Sequence, residues 1–339
     1  MIVRAALGVL AYAFLIAGAQ AYEWDLPRGF PVPDVPADNP MSEAKVALGR
    51  RLFCEPRLSV TKQHSCASCH DPAKSFTDGR RVGVGATGAE LKHNSMALVN
   101  VAYNVSFGWQ KPKVRSLEVQ MLEPLLTEHP VELGLRGRED EVSAALSRDE
   151  SYRAAFAAAF DGDERITLDR IIKAIAAFER TLISGRSPFD RYVFGGDHGA
   201  LNESAKRGMA LFFSERVNCA RCHSGFNFAG NWRDAEGETG PPTLENNGTS
   251  ETPMRVPTLR NVALTAPYMH DGRFATLEEV LDHYNRVGNL QRGPVTLSPD
   301  ERTDLVAFLH SLTDKEFVAR SVADTAPFCA KPDRVTRAE

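Results

Sequence analysis

The pentapeptide Cys66-Ala67-Ser68-Cys69-His70 returns as Cys219-Ala220-Arg221-Cys222-His223, 153 residues later. Each copy follows a segment ending in Leu-Phe: Gly49-Arg50-Arg51-Leu52-Phe53 before the first, Gly208-Met209-Ala210-Leu211-Phe212 before the second. A phenylalanine comes shortly after each copy, Phe76 and Phe228. A repeat at one domain length divides the chain into two similar units. Cys-x-x-Cys-His is the attachment signature of c-type haem. Two thiols add across the two vinyl groups, two intervening residues space the sulfurs on a turn, and the adjacent imidazole falls under the iron. A thioredoxin-like redox pair needs a βαβ context, which is absent. A zinc ribbon needs paired Cys-x-x-Cys motifs closing one tetrahedron, and a histidine directly after the second cysteine fits that poorly. Two covalently attached haems are expected, with His70 and His223 as the proximal iron ligands.

The remaining pattern is mainly helical, so the expected class is mainly α with two cytochrome c-like haem domains. Ser42–Phe53 places Val46, Leu48, Leu52 and Phe53 in helical register. Asp140–Phe160 reads as one or two helices. Thr167–Ser184 carries Leu168, Ile171, Ile172, Ile175, Phe178 and Leu182 as a 3.6-residue stripe. Asn202–Phe213 opens on an N-cap residue. Thr276 with Glu279, and Ser298 with Pro299 and Glu301, form capping boxes that start two further helices. The regions around 80–90 and 225–255 are rich in Gly, Pro, Asn and Thr and read as loops.

The N-terminus has the form of a secretory signal peptide over residues 1–21. Arg4 is the positive region, Ala5–Gly18 the apolar run, and Ala19-Gln20-Ala21 the small-x-small cleavage site. A mature chain beginning at Tyr22 is expected in the periplasm. No later segment approaches the length of a permanent membrane span. Residues 22–41, with Pro27, Pro31, Pro33, Pro36 and Pro40, read as an extended arm. An N-terminal haem domain over 42–194 and a C-terminal one over 195–339 follow, with the boundary in Ser187–Asn202. The balance of 40 Lys+Arg against 44 Asp+Glu leaves no electrostatic footprint for nucleic acid.

The second axial ligand decides what each haem does: two ligands suit electron transfer, an open face suits peroxide. On the helix starting at Thr276, Leu277, Val280, Leu281 and Tyr284 share one face. Tyr284 is either a ligand to the second iron or a core tyrosine with a satisfied hydroxyl. Met254, Met269 and His270 are the other candidates. Two cysteines remain, Cys54 and Cys329, either as a disulfide or as two thiols.

At these residues the chain resembles the MauG and bacterial di-haem cytochrome c peroxidase superfamily, from about Ala44 to Leu312. The resemblance rests on both haem motifs and on the stretch from Val256-Pro257-Thr258-Leu259-Arg260-Asn261 through Tyr268-Met269-His270-Asp271-Gly272. Ordinary members ligate the C-terminal haem with methionine, and MauG-like members with tyrosine. Tyr284, in Asp282-His283-Tyr284-Asn285, falls on that position. A phenolate stabilises higher iron charge, so the resemblance implies that peroxide generates a high-valent, bis-Fe(IV)-like di-haem state. The family's distal histidine is missing from Arg80–Leu91, and the nearest is His93. An open, high-spin first haem is implied. Trp109 resembles the tryptophan between the haems. Gln120, Pro124 and Glu132 resemble the distal-pocket residues, with Glu132 as the acid/base that moves the peroxide proton. Asn94 by its side chain, and Thr265 and Pro267 by their carbonyl oxygens, resemble an inter-haem Ca2+ site.

The runs His93-Asn94-Ser95-Met96-Ala97-Leu98-Val99-Asn100 and Pro130-Val131-Glu132-Leu133-Gly134 are similar to the MbnH group, whose members modify a tryptophan on the partner protein MbnP. The expected activity is therefore peroxide-driven oxidation of a residue, a tryptophan by preference, on a secreted MbnP-like protein. One alternative is an ordinary cytochrome c peroxidase taking electrons from a small redox protein. The other is a di-haem electron carrier without enzymatic activity.

Overall fold

The computed structural model describes residues 22–110, 113–230, 233–234, 237–238, 244–245, 254–287 and 295–329. The signal-peptide reading of 1–21 lies outside them. The described chain is helical. The first half contains α1 (Glu43–Phe53), α2 (Cys66–Cys69), α3 (Leu117–Leu126), α4 (Glu139–Ser147), α5 (Glu150–Ala159) and α6 (Leu168–Arg180). Then come α7 (Pro188–Val193), α8 (Glu203–Phe212), α9 (Leu277–Val287), α10 (Pro299–Ser311) and α11 (Lys315–Thr325). Within 225–255, read as loop, lie two antiparallel pairs of two-residue strands, β1 (Arg233–Asp234) with β2 (Gly237–Glu238) and β3 (Leu244–Glu245) with β4 (Met254–Arg255).

Side-chain caps set the helix starts. Ser42, Thr167 and Asn202 each accept a hydrogen bond from the amide three residues on. Ser298 and Glu301 cap reciprocally. Each cap satisfies a donor that the first helical turn leaves open.

Two helix crossings build the two cores. α1 packs on α6, and α8 on α10. A Cβ on Gly49 would lie 1.9 Å from the carbonyl oxygen of Ala174, and one on Gly208 would lie 1.8 Å from that of Asp304. Glycine is therefore what lets each pair of backbones touch. Phe53 meets Phe178 edge-to-face at 5.3 Å between ring centroids, and Phe212 packs at a tilt on Phe308 at 5.1 Å. The repeat thus extends beyond the haem motifs to the helices that close each core. A second matched device follows. Asn100 and Asn261, both in left-handed conformation, donate their amides to Leu182 and Leu312 (2.8 and 3.0 Å). Their side-chain oxygens accept from the amides of Ser184 and Asp314. Asn261 also donates to the Ser184 hydroxyl, and Asp314 accepts from the amides of Gly185 and Arg186, so this buried network joins the halves.

Two expectations give way to the structure, and one open alternative resolves. The Pro-rich arm packs: Phe30 is buried against Tyr103, Ile183 and Phe226, and Asn39 bonds Glu118 and the Lys173 carbonyl. Composition hid this, because one phenylalanine supplies the anchor. The expected division at 194/195 is crossed from both sides. Phe189 of α7 sits in the second core, while α11 returns to the first half and buries Phe317 beside Phe76. Cys54 and Cys329 form a disulfide with Cα atoms 4.8 Å apart, tying the end of α11 to the end of α1.

Candidate functional site

Both haem motifs adopt the same local design. The amide of His70 donates to the Cys66 carbonyl at 2.9 Å, and that of His223 to the Cys219 carbonyl at 3.0 Å. Each histidine therefore sits one turn beyond its first cysteine. The Nδ1 of His70 lies 2.9 Å from the Phe76 carbonyl oxygen, and that of His223 lies 2.9 Å from that of Phe228. A carbonyl only accepts, so Nδ1 carries the proton and Nε2 keeps its lone pair, the tautomer an axial ligand requires. Phe76 and Phe228 adopt φ of 62° and 50°. For a bulky residue this conformation is rare, and here it occurs at both carbonyls that orient the imidazoles.

Burial pushes Cys69 up to about 11, helped by the charges of Asp78 and Glu132, and it pushes Cys219 up to about 12. Burial raises Cys66 as well. Attachment as a thioether, which carries no charge, suits these enclosed sulfurs. All four motif cysteines stay outside disulfides.

A cavity of about 370 Å³ lies between the halves. Cys219, Cys222 and His223 form part of its wall; Asn94, Trp109, Thr265, Pro267 and Tyr284 form others. Thr77, next to the carbonyl that holds His70, also reaches it. Leu277, Val280 and Leu281 line it together with Tyr284, the face of α9 that its apolar spacing marks. Tyr284 is 40% exposed. His283, off that face, is nevertheless buried, with its ring 5.2 Å from Phe274. Met254, Met269 and His270 are on the wall too.

Trp109 is fixed at both ends. Its indole N–H donates to the Asn94 carbonyl at 2.9 Å, and its own carbonyl accepts from the Arg255 amide at 2.8 Å. Asn94 is buried, its amide donating to the His270 carbonyl and its Nδ2 to the Arg80 carbonyl. His93 faces His270, with ring centroids 5.8 Å apart.

Gln120 and Pro124 lie one turn apart on α3, and Glu132 is near enough to Cys69 for its charge to be felt there. Pro124, inside α3, donates no hydrogen bond to the preceding turn. Its carbonyl instead accepts from Leu133 at 2.9 Å, which brings the Glu132 loop against α3. The Glu132 carbonyl in turn accepts from Ala86, and Gly85 sits so close that a Cβ would be 1.9 Å from the Val131 oxygen. The Gln120 side-chain oxygen is buried without a hydrogen-bond partner among the described residues. Sequence reasoning missed Arg255 on the cavity wall. The signal was present: Leu98-Val99-Asn100-Val101-Ala102 repeats as Leu259-Arg260-Asn261-Val262-Ala263, which sets Asn94 and Arg255 at matching positions.

Comparison with known proteins accounts for this doubled arrangement. The family model described as di-haem cytochrome c peroxidase matches residues 43–198, and that of cytochrome c matches 205–313. The methylamine utilization protein MauG of Methylorubrum extorquens is 36% identical over 294 residues, 82% of this chain and 80% of that one. The chain belongs to the di-haem cytochrome c peroxidase/MauG family. The family's cytochrome c551 peroxidase of Pseudomonas aeruginosa is 32% identical over 326 residues, covering 91% of each chain. A crystal structure of a MauG-like protein associated with microbial copper homeostasis superposes with a TM-score of 0.82 at 36% identity, covering 92% of this chain and 99% of that one. Family membership makes this protein a di-haem peroxidase-type oxidoreductase with haem as its cofactor.

Proposed function

We propose that this protein is a periplasmic MauG-like enzyme that uses hydrogen peroxide to withdraw electrons from a residue, a tryptophan by preference, on a partner protein. The observation that carries the reading is Tyr284 on the wall of the cavity that also holds His223 and Trp109. Haem attached at the two motifs supplies the peroxide site and the store of oxidising equivalents. His70 and His223 hold the two irons through Nε2, each oriented by its carbonyl partner. Tyr284 offers a phenolate to the second iron, which favours higher metal charge where methionine would favour reduction.

Glu132 moves the peroxide proton from one oxygen to the other, the step for which a positioned carboxylate is effective. Gln120 and Pro124 shape the space beside it, with Gln120 contributing an uncommitted amide oxygen. Trp109 relays electrons between the halves, its indole held by Asn94. Asn94, Thr265 and Pro267 hold Ca2+ between them with oxygen donors. A folded protein cannot enter a haem pocket, so its electrons enter the enzyme through the second half and pass on to peroxide. The likeness to a MauG-like protein associated with microbial copper homeostasis supports the MauG-like reading, and the partner proposed with it is an MbnP-like secreted protein.

The test is mass spectrometry of such a partner after incubation with the holoprotein and peroxide. Loss of hydrogens or gain of oxygen on a partner tryptophan, absent with Tyr284→Met, supports the reading. Rapid peroxide consumption with a reduced small cytochrome, and no change on any partner, favours the ordinary peroxidase instead, a reading the similarity to cytochrome c551 peroxidase keeps in view.

A further inference from the structure

Arg255 stands on the cavity wall without an acidic partner. Its Nε lies 3.4 Å from the Gly108 carbonyl, and one terminal nitrogen lies 3.3 Å from the Met96 sulfur. Neither contact neutralises its charge, and among the described residues no carboxylate forms an ion pair with it. Burial alone pulls its pKa down to about 10. Arg260, on the same wall, makes the contrast: its guanidinium is paired with Asp190 at 2.8 Å and bonds the Phe226 carbonyl. A cation half-withdrawn from water with neither countercharge nor full hydrogen bonding is costly, so a site that retains one is arranged for an anion. The space it faces is mostly apolar, and the second haem motif forms part of its wall. A haem placed there brings two carboxylates on flexible arms.

We propose that Arg255 is the counter-ion of a haem propionate in this cavity, a positioning residue that fixes the second haem and sets its reduction potential. The inference rests on the haem reading of Cys219, Cys222 and His223. A planar guanidinium grips a carboxylate through two parallel hydrogen bonds, which fixes the angle of the ring as well as its charge. Through its backbone Arg255 also holds the Trp109 carbonyl. One residue thus links the placement of the second haem to that of the tryptophan between the halves. The matching position in the first half is Asn94, so the two repeats use one place in the fold for two different ions: a neutral oxygen ligand toward a cation there, a cation toward carboxylates here.

The test is spectropotentiometric titration of the holoprotein and its Arg255→Gln and Arg255→Lys variants, with haem content counted first. Loss of the cation favours the ferric state. Arg255→Gln should therefore shift the ferric/ferrous ratio of the C-terminal haem about tenfold at fixed potential, about 59 mV for a one-electron couple. Its midpoint should also gain a steeper dependence on pH, as an unpaired propionate titrates. Arg255→Lys should keep the potential within about threefold of that ratio yet move the propionate bending bands in resonance Raman spectra. If Arg255→Gln fails to take up haem, the Raman bands of Arg255→Lys decide. Two haems per chain with potential and Raman bands unmoved overturn this inference alone. A chain without covalent haem overturns the underlying reading as well.

Discussion

The two halves share one part of their haem sites and differ in another. In both, a glycine-mediated helix crossing, a helix ending in Leu-Phe and a carbonyl from a left-handed phenylalanine orient His70 and His223 alike. Around these shared parts, the first half has Gln120 and Pro124 on α3, a helix with a proline inside it, and Glu132 on the loop that packs on that helix. The second presents Tyr284 from the regular helix α9. Duplication kept the part that attaches and orients haem. Under the proposed function, the differences fall where a second ligand or a substrate would stand.

The comparison breaks most visibly at the attachment residues. Replacing Cys66 and Cys69 by Ala should remove one covalent haem and abolish reaction with peroxide. The same change at Cys219 and Cys222 should leave peroxide binding in place and abolish oxidation of a partner. Haem counted by mass and peroxide binding followed optically check both; equal loss in the two variants would mean that the halves are not specialised. Next in size, Glu132→Gln should slow the peroxide step by about 10²–10⁴-fold, measured by stopped flow, with no effect on the spectrum of the second haem.

The disulfide belongs to the first half although one cysteine comes from the end of the chain. Cys54→Ser should lower unfolding stability by about 2–4 kcal/mol, read by denaturant titration. It should release α11 from the first core while α8 and α10 stay protected in hydrogen exchange. The smallest effect concerns a buried difference on the matched helices. Glu179 of α6 corresponds to Leu309 of α10, since Phe178 and Phe308 face the two crossing glycines. Burial pushes the Glu179 carboxyl up to about 8, with the nearby Glu118 charge adding and Arg180 opposing. The folded state then holds a proton that the unfolded state has already lost. Stability should fall as pH rises from about 4.5, the ordinary carboxyl value, to about 8. Glu179→Leu, which copies the second half, should remove that slope.

Much of the fold was legible in the residues. Ser42, Thr167, Asn202, Thr276 and Ser298 mark helix starts because a side-chain oxygen there satisfies an amide that nothing else can reach. The haem motifs are legible because covalent attachment fixes residue type and spacing. What stayed hidden depends on contacts between distant segments. Phe30 gives a proline-rich arm its anchor, Phe317 carries the last helix back to the first core, and Asp190 of α7 pairs with buried Arg260. None has a local periodic signature. At the site, the apolar stripe of α9 placed Tyr284 on the cavity side, but proximity of Pro124 to Glu132 comes from a loop folding back on a helix. Arg255 was passed over because a lone arginine in a stretch that reads as loop looks like surface, although the repeated segment after it aligns it with Asn94.

The account depends on unequal irons, and electron paramagnetic resonance of the ferric holoprotein tests that directly, with Tyr284→Met as comparison. It predicts one high-spin and one low-spin haem, with only the low-spin signal altered by the substitution. Two low-spin signals in the resting protein, or a low-spin signal indifferent to Tyr284→Met, would contradict it.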